Sequence, residues 1–435
     1  MVNTKSGHGS LSCPTVWAGG PEVEIEMDTS RHASAEFTLR WTSADARHAE
    51  RHYADRINLW RDFFPGDLGE RLGRAAPGET VECRFGPGAV VPGQDGGQVV
   101  SVAESQIRHR LASGPITDPR QGRFYPRSLL SGLGGHFPQD RRPLRYLGGA
   151  GGRAEVDMNH PLARYPLTVE GALVAELATT EEHGGRCNDL GEDLTAGGPG
   201  LQAAYPGLET DFFSGEPFAR EEPRADAAFY AQPRLVNHID ATAMAQVRAI
   251  YGRLLAPGMK VLDLMSSWNS HLPSGWEGLV VSGLGMNAAE LEHNERLTDR
   301  VVHDLNRDPI LPFADAEFDA AICTVSVEYL TRPLEVFREV ARVLKPGAPF
   351  AVTFSDRWFP PKVVHLWTEL HPFERVGLVL EYFRRARAYD GLHTETVRGW
   401  PRPADDKYAH MMVHADPVYA VWAFRGPASA TGLPG

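Results

Sequence analysis

Between residues 260 and 354, five short apolar runs alternate with helical or turn-forming stretches: KVLDLM, LVVSGLG, RVVH, DAAICTV and PFAVTF. Runs this short and this apolar suit strands covered on both faces. Strands separated by helices imply a parallel sheet with helices above and below it. The clearest helix is RPLEVFREVARVLKPG. Val336, Phe337, Val340, Val343 and Leu344 fall on one face of it, and Lys345-Pro346-Gly347 stops it. HTETVRGW and VYAVWAF supply two late strands, most simply a closing antiparallel pair. The pattern predicts a Rossmann-like α/β fold over residues 205–425, with a seven-stranded, mostly parallel sheet.

The chain has 435 residues, too many for one ordinary core, so a second unit is expected. Residues 31–178 are strand-rich. EFTLRWT alternates with period two, TVECRF does the same, and PLTVEGALVAEL reads as a long final strand. GDLGERLGRAAPGE suggests one short helix ended by Pro77-Gly78. Few helices and many Gly/Pro turns predict a small curled sheet. EEHGGRCNDLGEDLTAGGPG, rich in turn residues, places a linker at 179–204, with Arg186 and Cys187 among its glycines. Residues 1–30 and 426–435 read as tails.

The formal charge is −12, which argues against nucleic-acid or anionic-membrane partners. The basic run at Arg384, Arg385 and Arg387 reads as a solvated helix face. No apolar run approaches a membrane span. Cys13, Cys83, Cys187 and Cys323 are far apart and form no CxxC pair, so reduced thiols and a cytoplasmic location are expected. There is no HExxH and no close Cys/His cluster, so no metal is expected. The oligomeric state is not readable.

In an open parallel sheet, ligands sit beyond the carboxyl ends of the strands. Those ends carry Asp263 with Leu264-Met265-Ser266-Ser267-Trp268-Asn269, then Gly285-Met286-Asn287, Asp304-Leu305-Asn306, Thr324-Val325-Ser326-Val327-Glu328-Tyr329, and Ser355-Asp356-Arg357-Trp358. With VLDLMSSWNSH, VVSGLGMNAAEL, HDLNRDPILPFADAEFDAAICTVSVEYL and EVFREVARVLKPGAPFAVTF, the block resembles a class I S-adenosylmethionine (SAM)-dependent methyltransferase of the small-molecule type. The resemblance implies SAM as cofactor and methyl transfer to a small molecule or peptide as activity. It implies that Asp263 faces the amino group of the methionyl part, and that Asp304 accepts from the adenine amino group beside the Leu305 amide. Met286 would wall the adenine, Thr324 and Val325 would lie under the methionyl portion, and Met265, Ser266 and Ser267 would form the cofactor loop. Two positions depart from the family pattern. The loop lacks its usual glycines and carries Trp268, and Gly285 stands where an acidic residue usually grips the ribose. Asn287, whose amide both donates and accepts, is the expected substitute there, and it also suits a helix N-cap.

Alignment is the main demand of methyl transfer, with a general base added when the acceptor must lose a proton. Candidate bases are His271, Tyr329 and His238. The last lies in FYAQPRLVNHID, a stretch expected to form a lid that also carries Tyr230 and Arg234. SDRWFPPKVVHLW is the expected substrate wall, with Arg357 and Trp358 facing an acidic or flat acceptor.

In the N-terminal block, VDMNHPLARYPLTVEGALVAEL and FFPGDLGERLGRAAPGETVECRF resemble the FK506-binding-protein (FKBP) and SlyD-like peptidyl-prolyl isomerases. The resemblance implies a proline pocket with Phe63 and Phe64 at its floor and Tyr125 in a turn above it. Asp55 is the candidate pocket aspartate. Isomerase would then be a second activity, or the block would bind a substrate or partner chain. The alternative for the whole chain is a folding helper whose methyltransferase-like half is mainly a scaffold.

Overall fold

Two sheets organise the chain, and the larger one crosses both blocks. In the computed structural model, which describes residues 31–108, 118–132, 139–178 and 187–427, the N-terminal strands are β1 (His32–Thr42), β2 (Arg47–Asn58), β3 (Thr80–Phe85), β4 (Val99–Ala103), β5 (Phe124–Pro126), β6 (Pro143–Ala150), β7 (Arg153–Asp157) and β8 (Leu167–Leu177). The C-terminal strands are β9 (Lys260–Leu264), β10 (Val280–Gly285), β11 (Asp299–Val302), β12 (Ala320–Thr324), β13 (Pro349–Phe354), β14 (Tyr389–Arg398) and β15 (Val418–Arg425). The large sheet runs β11-β10-β9-β12-β13-β15-β14-β2-β1-β8-β3, and a small sheet runs β4-β7-β6-β5.

The seven C-terminal strands form the expected α/β sheet. β9 to β13 are mutually parallel, and β15 inserts antiparallel between β13 and β14. Every residue of β13 is buried, as a strand covered on both faces requires. Helix Pro333–Val343 opens with proline in its first turn and buries Val336, Phe337, Val340 and Val343. Helix Ala241–Leu254 covers the other face, capped by Asp240, whose Oδ1 accepts from the Ala243 amide at 3.0 Å.

The two blocks share one sheet. β2 pairs in parallel with β14 from His393↔Arg47 to Arg398↔His52. Of the segment expected as a linker, residues 187–204 carry a short helix, Leu190–Thr195, with Leu190 and Leu194 buried in the N-terminal core. Asp189 caps that helix and forms a bridge to Phe63. The N-terminal region is β-rich as expected, with helix Leu68–Arg74 packed over β1, β3 and β8.

The seam buries a carboxyl group. Glu50 of β2 is 1% exposed, and its oxygens accept from Gln202 Nε2 at 3.0 Å and from the Thr396 hydroxyl. Burial pushes its pKa up to about 8. A carboxyl raised in this way contributes most stability below about pH 4.5 and loses it as pH rises toward 8. Glu50→Gln keeps the shape and removes the charge. It is expected to raise stability near pH 7 by about 2 kcal/mol and to flatten the decline between pH 5 and 8. Denaturant midpoints across that range check this. Parallel curves for the two proteins would show that the carboxyl does not titrate at the seam.

Candidate active site

A cleft of about 140 Å³ opens beyond the carboxyl ends of β9, β10, β11 and β12. Asp263, Met265–Asn269, Gly285–Asn287, Asp304–Asn306 and Thr324–Ser326 line it, so the strand tips named from the sequence converge. The lid residues Tyr230, Arg234 and His238 close one side, and His271, Tyr329 and Phe359 complete the wall.

Asp263 ends β9 and is 2% exposed. Ser266 Oγ donates to its Oδ2 at 2.6 Å. Burial raises its pKa to about 6, with hydrogen bonds from Ser266 and Ser270 pulling the other way. Asp304 is half-buried, and its Oδ1 accepts from the amides of Asn306 and Arg307 at 3.0 and 3.2 Å. It is a turn-former and a cleft residue at once.

The two departures from the usual pattern explain each other. Ser266 N donates to Leu284 O at 2.8 Å, so the loop after β9 crosses tightly over the end of β10. A Cβ at 285 would fall well inside contact distance of the Ser266 carbonyl oxygen. No acidic side chain fits at Gly285, because the close approach a loop glycine normally permits is supplied here by a strand glycine. The loop's own strain falls on Met265, at φ 56. His271 (φ 52) and Val325 (φ 47) share this left-handed conformation, so three non-glycine outliers gather around one cleft.

Trp268 does not fill the cleft. Its indole is half-buried, and Nε1 donates outward to the lid carbonyl of Val236 at 3.0 Å. The two serines act by hydrogen bonding as well as by being small: Ser266 holds Asp263, and Ser267 Oγ donates to Glu290 Oε2 at 2.6 Å. Glu290 also accepts from the lid amide of Arg234 at 2.7 Å. It is a cleft carboxylate that strand-end reading passes over, because one turn of helix Ala288–His293 carries it back to the site. Its signal in the sequence is only that it is the first acid after β10. Asp226 was missed as well. It lines the cleft and binds Arg220 Nη1 at 2.8 Å and Asn306 Nδ2 at 2.8 Å.

Asn287 is engaged within the protein rather than free for the ribose. Its Oδ1 accepts from the amides of Ala289 and Glu290, and its Nδ2 donates to the carbonyls of Tyr230 and Ala231 at 2.7 and 3.2 Å. It caps a helix and ties down the lid. Met286 is half-buried in the wall, Leu305 is buried, and Thr324 Oγ1 meets the buried Tyr251 hydroxyl at 2.6 Å.

Of the three candidate bases, Tyr329 is unsuited. Its hydroxyl accepts from the Phe359 amide at 2.8 Å, and burial pushes its pKa well above the ordinary value, so it stays protonated at neutral pH. His271 keeps a buried Nδ1 with no hydrogen-bond partner among the described residues, and burial lowers its pKa to about 4. Burial likewise lowers the pKa of His238, whose ring meets Phe359 edge-on at 5.1 Å. Arg234 is wrapped in aromatic rings, with its guanidinium 4.6 Å from the Phe229 centroid and 5.2 Å from Phe359.

Arg357 and Trp358 lie outside the cleft, in an adjoining groove. Arg357 pairs with Asp416 at 3.0 Å, and Trp358 lies under the Arg375 guanidinium at 4.5 Å. Phe64 and Tyr125 are not brought together. Phe64 packs on the core of β1, β3 and β8, whereas Tyr125 is buried in the separate core of the small sheet, its hydroxyl accepting from the Arg120 amide. Among the described residues, no three metal-ligating side chains cluster, and no helix is long and apolar enough to cross a membrane.

Residues 280–352 match the family model of a methyltransferase domain. The ubiquinone/menaquinone biosynthesis C-methyltransferase UbiE of Laribacter hongkongensis is 31% identical over 173 residues, covering 37% of this chain and 67% of that protein. The chain belongs to the class I SAM-dependent methyltransferases. The methyltransferase GfsG of Streptomyces halstedii is 30% identical over 135 residues, 28% of this chain and 48% of that one. Sterol methyltransferase-like 1 of Botryococcus braunii is 30% identical over 145 residues, 31% and 37% of the two chains. The methyltransferase described here spans between a third and a half of these last two relatives. SAM is the cofactor, and the cleft suits it: a buried carboxylate for a cationic amino group, a glycine that admits close backbone approach, and an apolar Met286 wall.

Proposed function

We propose that this protein methylates a small apolar acceptor, held between the lid and the connection from β14 to β15. The observation that carries this reading is the continuity of two hollows. The cofactor cleft and the groove lined by Trp358 and Tyr408 share Val236, His238, Val325, Tyr329 and Phe359. Exposed apolar side chains lie in both flanking segments, among them Val236 at 54% and Met412 at 39%. The groove also carries charges, but Asp240, Arg357, Arg402, Asp406 and Asp416 pair among themselves, so the apolar side chains at its mouth favour an apolar ligand. Quinone and sterol appear in the names of two relatives, which supports the same class, and a small molecule is favoured over a peptide.

When bound, SAM supplies an electrophilic methyl group on a sulfonium. In this reading Asp263 faces its amino group and Asp304 its adenine. Glu290 holds loop and lid together, and Tyr329 fixes the Phe359 edge of the acceptor groove. His271, neutral and with Nδ1 unengaged, takes the proton that an acceptor hydroxyl or activated carbon gives up. The block 31–178, joined at 179–204, serves as an accessory binding unit. Prolyl isomerisation is left out of the proposal, since Phe64 and Tyr125, two of its candidate pocket residues, sit in different cores.

Titration of the full chain with SAM or S-adenosylhomocysteine is expected to give saturable heat, and labelled methyl is expected to pass into quinols or other apolar acceptors. Absence of heat would overturn the cofactor assignment; binding with transfer only to peptides would overturn the acceptor class. His271→Ala is expected to lower the turnover rate about 100-fold or more while leaving S-adenosylhomocysteine affinity within about twofold. Equal losses in both would make His271 a positioning residue.

A further inference from the structure

We infer that the chain carries a second ligand site, for an organic carboxylate with an apolar body, at the junction of the N-terminal block and the methyltransferase. Two adjoining hollows there share Phe124, Arg164, Tyr165 and residues 203–206, and neither has a lining residue in common with the cofactor cleft.

Arg145 of β6 lines the smaller hollow and is 6% exposed. Its guanidinium lies 4.0 Å from the Phe124 ring centroid, and Nη2 donates to Ala203 O at 2.7 Å. Nη1 is buried with no hydrogen-bond partner among the described residues. None of their carboxylates makes an ion pair with it. A buried cation left this way is costly unless an anion completes it. A second cation stands close by. Arg164 lies over the Tyr205 ring at 4.7 Å, and the Arg145 guanidinium is 5.6 Å from the same ring. Two carboxylates act on Arg145 from further off, Glu374 and then Asp157, and both are engaged elsewhere: Glu374 Oε1 accepts from the Phe124 amide at 2.8 Å and faces Arg123 at 3.5 Å, while Asp157 Oδ1 accepts from the amide and Nδ2 of Asn159 and its Oδ2 pairs with Arg164 at 3.6 Å. Asp157, Asn159 and Arg164 belong to VDMNHPLARY, the motif that the sequence singled out and that the methyltransferase reading leaves unused.

The larger hollow, of about 480 Å³, gives the ligand its second property. Leu201, Leu208, Phe212 and Leu380 supply an apolar wall. Asp45, Glu374 and Glu381 also line it, so a dianion is disfavoured relative to a monocarboxylate. Guanidinium donors match a carboxylate in geometry as well as charge. Because helix Pro372–Ala386 forms one wall, such a ligand would bridge the two blocks.

The test is calorimetry of the full chain with octanoate, octanamide and inorganic phosphate, each with and without saturating S-adenosylhomocysteine. Octanoate is expected to bind in a single saturable event that S-adenosylhomocysteine does not block, with octanamide about tenfold weaker or more. Arg145→Met is expected to abolish that event. Arg164→Gln and Tyr205→Ala, whose side chains reach solvent, are expected to weaken it about tenfold, and they keep the test decisive if the Arg145 variant does not fold. The inference is overturned if octanoate shows no saturable binding at millimolar concentration, if phosphate binds as tightly, if S-adenosylhomocysteine displaces octanoate, or if the Arg164 and Tyr205 variants bind as the wild type does.

Discussion

Gly285→Ala is expected to cost on the order of 3 kcal/mol of stability and to weaken S-adenosylhomocysteine binding by about 100-fold or more. The reason is space and not conformational freedom. The added methyl group would meet the Ser266 carbonyl, a backbone atom that no rotamer change can move aside. β10 cannot retreat, because Gly285 is in register with Val302 of β11, and its carbonyl accepts from His303 N at 2.9 Å. The crossing loop must move, and with it go two hydrogen bonds: Ser266 to Asp263 and Ser267 to Glu290. Stability and cofactor affinity should therefore fall together. Gly347→Ala is the contrast. That glycine has φ 79 with nothing near its missing Cβ, so its substitution should cost about 1 kcal/mol in backbone strain and leave affinity alone. Denaturant midpoints and calorimetry on both variants decide it. A Gly285→Ala protein that binds like the wild type would show that the loop does not depend on this contact.

The same glycine marks how far the sequence could be read. The α/β half was legible because its central strands, β9, β12 and β13, are covered on both faces and so are largely apolar. Where those strands end, Asp263 and Asp304 could be placed without coordinates. What could not be read was contact between segments distant in sequence. Gly285 looked like a missing acid because its meaning lies in Ser266, 19 residues earlier. Glu290 looked too remote because a helical turn brings it back. The seam was invisible for another reason. RHAERHYADRIN has no apolar alternation, yet it forms β2, with His48 and Glu50 buried. Polar partners from outside the strand make that burial tolerable: Thr394 and Ser43 for His48, Gln202 and Thr396 for Glu50, with Trp41 stacked on His48 at 4.7 Å. Period-two reading weighs only the strand's own apolar residues, so it passes over a strand stabilised by its neighbours.

Asp263 should make cofactor binding depend on pH in a definite sense. Its carboxyl is almost wholly buried, and its pKa is raised from the ordinary 3.8 to about 6. For stability, such a group helps most below pH 3.8, and its contribution declines as pH rises through 6. Holding it ionised without a partner costs about 3 kcal/mol. Cofactor binding runs the other way. A cationic amino group pairs with the carboxylate and not with the acid, so affinity should be flat above about pH 7 and fall up to tenfold per unit below 6. Burial lowers the pKa of His271 to about 4, so that ring supplies no competing transition near 6. Asp263→Asn separates the two effects. It should remove the pH dependence and weaken S-adenosylhomocysteine about 100-fold at pH 7.5, the loss of one charge-assisted contact in a buried setting. The unliganded variant should be no less stable than the wild type, because a buried charge has been replaced by a neutral amide of the same shape. Calorimetric titration from pH 5 to 8 measures the first two, and denaturant midpoints of the unliganded proteins measure the third. An affinity in the wild type that stays constant across that range would mean that the Asp263 carboxylate does not meet the cofactor's amino group, and the assignment of the two ends of the cleft would fail with it.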